Sequence, residues 1–177
     1  MLNLRTMTWV ALSSLVLAAP AMADKTAGQT IDDSTIATET KAALIDKDKV
    51  SAGSLNVEVN KGTVQLAGFV DSQAEKAAAM KTAQQVKGVV KVLDAMVVLP
   101  GHRTAGQTLD DTTMQATLKT KLAEQDASKA WSINTDVYNG QVLMSGFIHG
   151  EKSRVQAGEI AKGIKGVKHV YNKIELE

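Results

Sequence analysis

The chain has 177 residues, with 20 Lys and Arg against 19 Asp and Glu, 3% aromatic residues and no cysteine. The balanced charge and the scarcity of aromatic side chains argue against a general nucleic-acid binder, which needs a basic surplus and stacking platforms. Without cysteine, the chain can form neither a disulfide framework nor a thiolate metal site.

The first 23 residues have the pattern of a secretory signal peptide. Arg5 supplies the positive charge, residues 7–18 form an apolar run, and Ala21 and Ala23 satisfy the small-residue rule for cleavage. The run is too short to span a membrane as a helix. We therefore expect a signal peptide over 1–23, cleaved after Ala23, and a mature protein in the periplasm; an uncleaved anchor is the alternative.

The rest of the chain contains one sequence twice. The octapeptide TAGQTIDD at 26–33 returns as TAGQTLDD at 104–111, an offset of 104 − 26 = 78 positions, and the copies then align without a gap to residues 99 and 177. A fixed repeat of this extent indicates a duplicated module. We expect a first module over 24–99, a linker and leading segment over 100–110, and a second module over 111–177.

Each copy begins with a helix signal. The acidic pairs Asp32-Asp33 and Asp110-Asp111 are typical of helix N-termini, where carboxylates cap free N–H groups and complement the helix dipole. Apolar residues then recur at helical spacing. This pattern predicts first helices over about 34–45 and 112–124.

A β-hairpin follows each helix. Alternating strands flank turns at Gly62 and Gly140, where Asn139-Gly140 is the stronger turn signal. Gly68 and Gly146 lie inside the return strands, and a glycine there marks a bulge or the close approach of another backbone. We favour a helix crossing over these positions; a ligand at the same place is the alternative.

A second helix and a last strand complete each copy. The helices are predicted over 73–86 and 151–164, and the strands over 89–99 and 167–176. The first of these strands is very apolar and should be well buried. The fold class is therefore α+β, with two tandem modules of order α-β-β-α-β, each with two helices packed on a small three-stranded mixed sheet.

Together these segments resemble the BON domain family. The matching stretches are DDSTIATETKAAL, the hairpin LNVEVNKGTVQLAGFV and AQQVKGVVKV, and the second copy carries SGFIHGEKSRVQAGEIAKGIKGVKHV. The resemblance implies a bacterial envelope or stress protein that binds phospholipid surfaces. It also implies a second possibility, a periplasmic chaperone for unfolded outer-membrane proteins. It implies no catalytic residues.

The residues themselves offer no enzyme signature. The histidines His102, His149 and His169 have no ligand-like spacing, and there is no nucleophile elbow and no phosphate-binding loop. We expect no catalysis, no cofactor and no metal site.

Two features of the second copy are candidates for contact with anionic phospholipid. Arg154, Lys162 and Lys165 fall on one flank of the predicted helix, where a basic surface could meet lipid phosphates; an ordinary solvated face is the alternative. Trp131, with Lys129 beside it, could anchor at the lipid–water boundary; packing over the core is the alternative. Whether the two sheets pack together or move independently about Pro100 and Gly101 stays open.

Overall fold

The computed structural model describes residues 27–46, 55–101, 104–125 and 133–177, without the side chains of residues 27–31. No helix within these ranges is both long enough and apolar enough to cross a membrane. The first copy contains α1 (Ala27–Ile45), β1 (Asn56–Asn60), β2 (Thr63–Val70), α2 (Gln73–Gln84) and β3 (Lys91–Val98). The second contains α3 (Ala105–Gln125), β4 (Ile133–Tyr138), β5 (Gln141–Ile148), α4 (Glu151–Lys162), β6 (His169–Asn172) and β7 (Glu175–Leu176).

The predicted order α-β-β-α-β and the α+β class are confirmed in both copies. In the first sheet the central strand β2 pairs antiparallel with β1 and parallel with β3. The second sheet repeats this arrangement around β5, except that its last strand is divided into β6 and β7, both parallel to β5. The described residues therefore form mixed sheets of three and four strands.

Each copy has its own hydrophobic core between its helices and one face of its sheet. In the first copy this core includes Leu44, Leu66 and Met96, and in the second Leu118, Met144 and Ile174. The prediction that β3 is well buried is wrong, because β3 lies at the sheet edge and only Ala95 and Met96 in it are buried. Its apolar character has a different cause: one side faces the helices and the other faces the second sheet.

The first helices begin seven residues earlier than the sequence suggested, at Ala27 and Ala105. In the second copy the cause is a reciprocal cap. The Thr104 N–H donates to Gln107 Oε1 over 2.8 Å, and the Gln107 N–H donates to Thr104 Oγ1 over 3.3 Å. Such a pair satisfies two free donors at a helix start. The TAGQ at 104–107 is therefore a capping signal, and the acidic pairs of both copies lie inside the helices.

The two sheets pack against each other through the faces that their helices leave open, which gives four layers in the order α-β-β-α. Ala67, Ala95 and Leu143 are buried between the sheets, with Phe69 and Tyr171 against them. The open question of the module arrangement is thereby answered: the sheets are joined face to face.

Two hydrogen bonds across this interface join residues that are equivalent in the sequence repeat. The Asn56 amide donates to Asp136 Oδ2 over 2.6 Å, and the Asn134 amide donates to Glu58 Oε1 over 2.8 Å. Asn56 and Asn134 are equivalent in the repeat, and so are Glu58 and Asp136. The two bonds are therefore one contact made twice about a local pseudo-twofold axis, as in an isologous dimer.

Gln65 breaks this symmetry. Its Oε1 accepts from the Gly146 N–H over 2.7 Å, and its Nε2 donates to the Lys173 carbonyl over 2.7 Å. β5 keeps one register on both sides of this point, pairing Met144 with Asn172 and Phe147 with Glu175. The amide of Gln65 thus replaces one hydrogen bond of the other module's sheet, the one that this register would form between the Gly146 N–H and the Lys173 carbonyl. This insertion explains the division of the last strand into β6 and β7.

Candidate functional site

The hairpin turns are the most constrained backbone in each module. Lys61 and Gly62 have φ of 50° and 75°, and Asn139 and Gly140 have 53° and 75°. These values match the two-residue turn that suits a twisted hairpin. A Cβ on Gly140 would lie 2.9 Å from the backbone carbonyl oxygen of Gly166, so the second position requires glycine for conformation and for space.

The glycines inside the return strands also have positive φ, 149° at Gly68 and 120° at Gly146. The Gly146 N–H is bonded to Gln65 from the other sheet. Another part of the chain therefore does approach this glycine closely, but it is a side chain of the opposite module.

A buried aspartate from the first helix holds each turn. The Asp33 carboxylate accepts from the N–H groups of Lys61 and Gly62, both over 2.9 Å. Asp111 accepts from Asn139 over 2.8 Å and from Gly140 over 2.9 Å. Their prediction as helix caps is wrong, because both helices start earlier and these carboxylates satisfy turn donors that would otherwise be buried without a partner.

Beside each turn lies a surface cleft built from equivalent residues. The first has a volume of about 540 Å³ and the second about 330 Å³. The walls carry charges of both signs, with Asp32, Asp33, Glu39, Lys61 and Lys87 in the first copy. The second cleft has Asp110, Asp111, Lys165 and Lys168. The clefts therefore carry no strong field of one sign.

The tip of the first module, formed by the turn and the loop before β3, exposes an aliphatic side chain among lysines. Val90 is 81% exposed, its N–H donates to the Gly62 carbonyl over 2.9 Å, and Lys61, Lys87 and Lys91 around it are all exposed. None of these lysines forms an ion pair within the described ranges. The second module has Lys168 in place of Val90, so only the first tip combines an apolar point with unpaired positive charge.

The residues predicted to contact lipid are placed differently from one another. Arg154 is bonded to Glu151 over 2.7 Å and Lys162 to Glu159 over 2.7 Å, each one turn away on the same helix. Two of the three basic charges on the predicted flank are thus locally neutralised. Lys165 lies on the wall of the second cleft. Trp131 and Lys129 lie outside the described residues, so their role stays a prediction.

The outer edges of β3 and β6 are blocked by side chains at equivalent positions. Asp94 Oδ1 accepts from the Met96 N–H over 3.0 Å, and Lys76, paired with Asp94 over 2.7 Å, donates to the Met96 carbonyl over 3.0 Å. In the second copy, Asn172 Oδ1 accepts from the Ile174 N–H over 3.3 Å. Occupied edge groups cannot pair with another strand.

The opposite edge is buried in both copies, where Val57 is 4% and Thr135 3% exposed, and the copies differ there in one hydrogen bond. The two-residue turns direct the backbone groups of Thr135 in β4 and of Val57 in β1 away from their own sheets. Gln115 of α3 donates to the Thr135 carbonyl. The equivalent of Gln115 is Ala37, and within the described ranges no side chain bonds to the Val57 carbonyl.

One titratable group at the interface between the sheets is perturbed. Burial raises the pKa of the Asp136 carboxyl above its ordinary value, whereas the hydrogen bond from Asn56 and the charge of Lys119 act in the opposite direction. Desolvation of a carboxylate favours its neutral form. The ionised form of Asp136 therefore destabilises the interface relative to the neutral form.

The described residues contain no cluster of three or more His, Asp or Glu that could hold a metal. Sequence reasoning did not single out Gln65, Asp136 or Val90. The available signal was the recurrence of polar residues at strand positions facing away from the helices, such as Asn56 and Asn134.

Comparisons with known proteins agree with this architecture. The BON domain family model matches residues 32–100 and again 110–177. Osmotically-inducible protein Y of Escherichia coli is 32% identical over 151 residues, which cover 85% of this chain and 75% of that protein. Outer membrane lipoprotein DolP of Haemophilus influenzae is 33% identical over 46% of this chain and 43% of its own length.

Among solved structures, the C-terminal domain of CdsD, a structural protein of the type III secretion system of Chlamydia trachomatis, is 12% identical. The match covers 82% of this chain and 67% of that chain, with a TM-score of 0.34, which is too low to support a structural argument. The family assignment rests on the two matched segments and on the osmotically-inducible relative. The chain belongs to the BON domain family and contains two BON domains.

Proposed function

We propose that this chain is a non-enzymatic periplasmic protein of the bacterial envelope that acts under osmotic or envelope stress by binding phospholipid surfaces. The names of two relatives, an osmotically-inducible protein and an outer membrane lipoprotein, support the setting. The signal-peptide pattern of residues 1–23 supports export.

The observation that carries the lipid proposal is the tip of the first module. Three lysines without an ion-pair partner contribute at most about 1 kcal/mol each near an anionic surface, because Asp32, Asp33 and Glu39 share the cleft wall with two of them. Burying a valine adds about 1.5 kcal/mol. The sum is at most roughly 4–5 kcal/mol, which corresponds to a dissociation constant on the order of 1 mM. The tip is therefore a weak, salt-sensitive membrane contact, suited to reversible peripheral binding.

Co-sedimentation with phosphatidylglycerol vesicles tests this proposal. Lys87→Gln with Lys91→Gln removes about 2 kcal/mol and should weaken binding roughly 30-fold. Arg154→Gln with Lys162→Gln changes the net charge by the same amount, but at sites already paired with glutamate, so it should change binding by less than about twofold. Equal loss in both double variants, or no binding of the wild type at low salt, would contradict the assignment to this tip.

A second candidate function is that of a chaperone or adaptor for unfolded outer-membrane proteins. It is the alternative that the resemblance to the BON domain family implies, and it does not depend on the lysines of the first tip. Suppression of client aggregation without lipid, unchanged in the Lys87 and Lys91 double variant, would support this function over lipid binding.

A further inference from the structure

The second hairpin turn contains the one asparagine-glycine pair of the chain, Asn139-Gly140. A glycine nitrogen has no Cβ beside it to shield it, so it can attack the side-chain amide carbon of the preceding asparagine. The nitrogen gives its proton to solvent and forms a bond to Cγ, which closes a succinimide ring, and the side-chain nitrogen leaves as ammonia. Water then opens the ring to aspartate or isoaspartate. The net reaction is hydrolysis of one amide, and it requires only water.

The fold of the second module demands this reactive pair. The connection between β4 and β5 has two residues, and both have positive φ, 53° at Asn139 and 75° at Gly140. Such a turn favours asparagine followed by glycine. The Gly166 carbonyl oxygen takes the space of any Cβ on Gly140. The first copy uses Lys61-Gly62, which has no side-chain amide to react, so the susceptible pair is confined to the second module.

The Asp111 carboxylate holds the attacking nitrogen in an unreactive state. The Gly140 N–H donates to Asp111 Oδ1 over 2.9 Å in a buried hydrogen bond, and the Asn139 N–H donates to Oδ2 over 2.8 Å. A nearby carboxylate favours the protonated form of this nitrogen, which is not nucleophilic. The electron pair left by deprotonation would also lie along the former N–H bond, and would therefore point at Asp111 instead of at the Asn139 side chain.

We propose that Asn139 is a deamidation site controlled by Asp111, which reacts when the carboxylate releases the Gly140 N–H. All three residues line the second cleft, so water can reach the succinimide and ammonia can leave. Release of the turn is a local opening, which needs less free energy than unfolding of the module. The modification therefore accumulates in chains whose second turn opens, and it is independent of lipid binding and of client binding.

The product prevents the turn from closing again. Asn139 Oδ1 is buried and has no hydrogen-bond partner within the described ranges. Aspartate at this position would place ionised oxygen there without a donor, in the same turn as the Asp111 carboxylate, and both effects are unfavourable. Isoaspartate would add a backbone atom to a connection that has room for two residues. Deamidation is thus a one-way change of the second module.

Peptide mass spectrometry of the full chain, incubated at neutral pH, measures asparagine, aspartate and isoaspartate at position 139 over time. The folded wild type should react at least about tenfold more slowly than the same chain in urea. Asp111→Ala should react about 30-fold faster than the folded wild type, equivalent to about 2 kcal/mol of lost protection. Asp111→Asn retains an acceptor oxygen for one of the two bonds and should react about fivefold faster, which keeps the test valid if the alanine variant does not fold.

Two control variants separate the carboxylate from general destabilisation. Asp33→Ala removes the equivalent carboxylate from the first turn and should leave the rate at Asn139 within about twofold of the wild type. Leu118→Ala opens a cavity in the second core and leaves Asp111 in place. Because the turn stays closed in the folded form of this variant, its rate should remain at least about fivefold below that of Asp111→Ala.

Three results would overturn the proposal. Equal rates in the wild type and both Asp111 variants would mean that the carboxylate does not protect the pair. A Leu118→Ala rate equal to that of Asp111→Ala would mean that only unfolding exposes it. Hydrogen exchange at Gly140 as slow in the deamidated chain as in the unmodified chain would show that the turn closes again after the reaction.

Discussion

Replacing Gln65 by leucine should destabilise the whole protein, although Gln65 belongs to neither hydrophobic core. The side chain is 1% exposed and joins the modules through two bonds of 2.7 Å, to the Gly146 N–H and the Lys173 carbonyl. Leucine is already present at the equivalent position 143, so it is an acceptable residue for this face of the sheet. Its failure at position 65 would therefore come from the lost hydrogen bonds.

The magnitude follows from the two groups left behind. A buried donor or acceptor without a partner costs about 1–3 kcal/mol. The Gly146 N–H is buried and should incur about 2 kcal/mol of this, whereas the more accessible Lys173 carbonyl should cost about 1 kcal/mol or less. A leucine side chain between the two strands also prevents a direct hydrogen bond from the Gly146 N–H to the Lys173 carbonyl. We expect a loss of roughly 2–3 kcal/mol in the free energy of unfolding, which for a chain of this size lowers Tm by roughly 5–10 °C.

Urea denaturation followed by circular dichroism measures this loss, and hydrogen exchange at Gly146 locates it. Gln84→Leu, the same change on an exposed face of α2, serves as control and should stay within about 0.5 kcal/mol of the wild type. Gln65→Glu should be worse than leucine, because a carboxylate can accept from Gly146 but cannot donate to Lys173. If Gln65→Leu unfolds like the control, or if Gly146 exchanges as in the wild type, the modules are not joined through this amide.

Two further predictions concern the interface and the turns. Because burial raises the folded pKa of Asp136, its ionised carboxylate lowers the stability of the protein at neutral pH, and this loss disappears as pH falls through that pKa. Asp136→Asn can still accept from Asn56, so it should be more stable than the wild type at pH 7 and equally stable in acid. Urea denaturation at both pH values measures the difference. Asp111→Ala leaves one buried and one partly buried turn donor without a partner. It should lower the free energy of unfolding by about 2–4 kcal/mol, measured in the same way. A loss below about 0.5 kcal/mol would show that water replaces the carboxylate.

The sequence predicted the duplication, the element order and the turn positions because each depends on local pattern. Asn139-Gly140 and the alternating strands around it specify a hairpin without reference to the rest of the chain. The helix starts were misjudged because two signals competed: the acidic pair at Asp110-Asp111 resembled a cap, whereas the Thr104–Gln107 pair was the cap in fact. Asp111 is acidic for a tertiary reason, since its partners lie 28 and 29 residues away.

The packing of the modules could not be predicted in the same way. A polar residue in a strand position facing away from the helices is as typical of a solvent-exposed sheet face as of a face that packs on another sheet. Asn56 and Glu58 are informative only when their partners, Asp136 and Asn134, are known to face them across the second sheet. The same limit applies to strand edges. Gln115 can bond to the Thr135 carbonyl and Ala37 cannot form an equivalent bond, but this difference is visible only once the helices are known to lie beside β1 and β4.

The pseudo-twofold arrangement has a consequence for how the two BON domains can be used. Phe69, near the far end of β2, contacts Tyr138 with ring centroids 5.6 Å apart, and Tyr138 directly precedes the second turn. The second turn therefore lies at the end of β2 opposite to the first, separated by the length of an eight-residue strand, about 25 Å. Because the equivalent tips point in opposite directions, one flat membrane meets one tip at a time, and the duplication cannot increase avidity for a single vesicle through these tips. Selection for membrane binding would then act on each tip separately, which is consistent with Val90 in one copy and Lys168 at the equivalent position of the other.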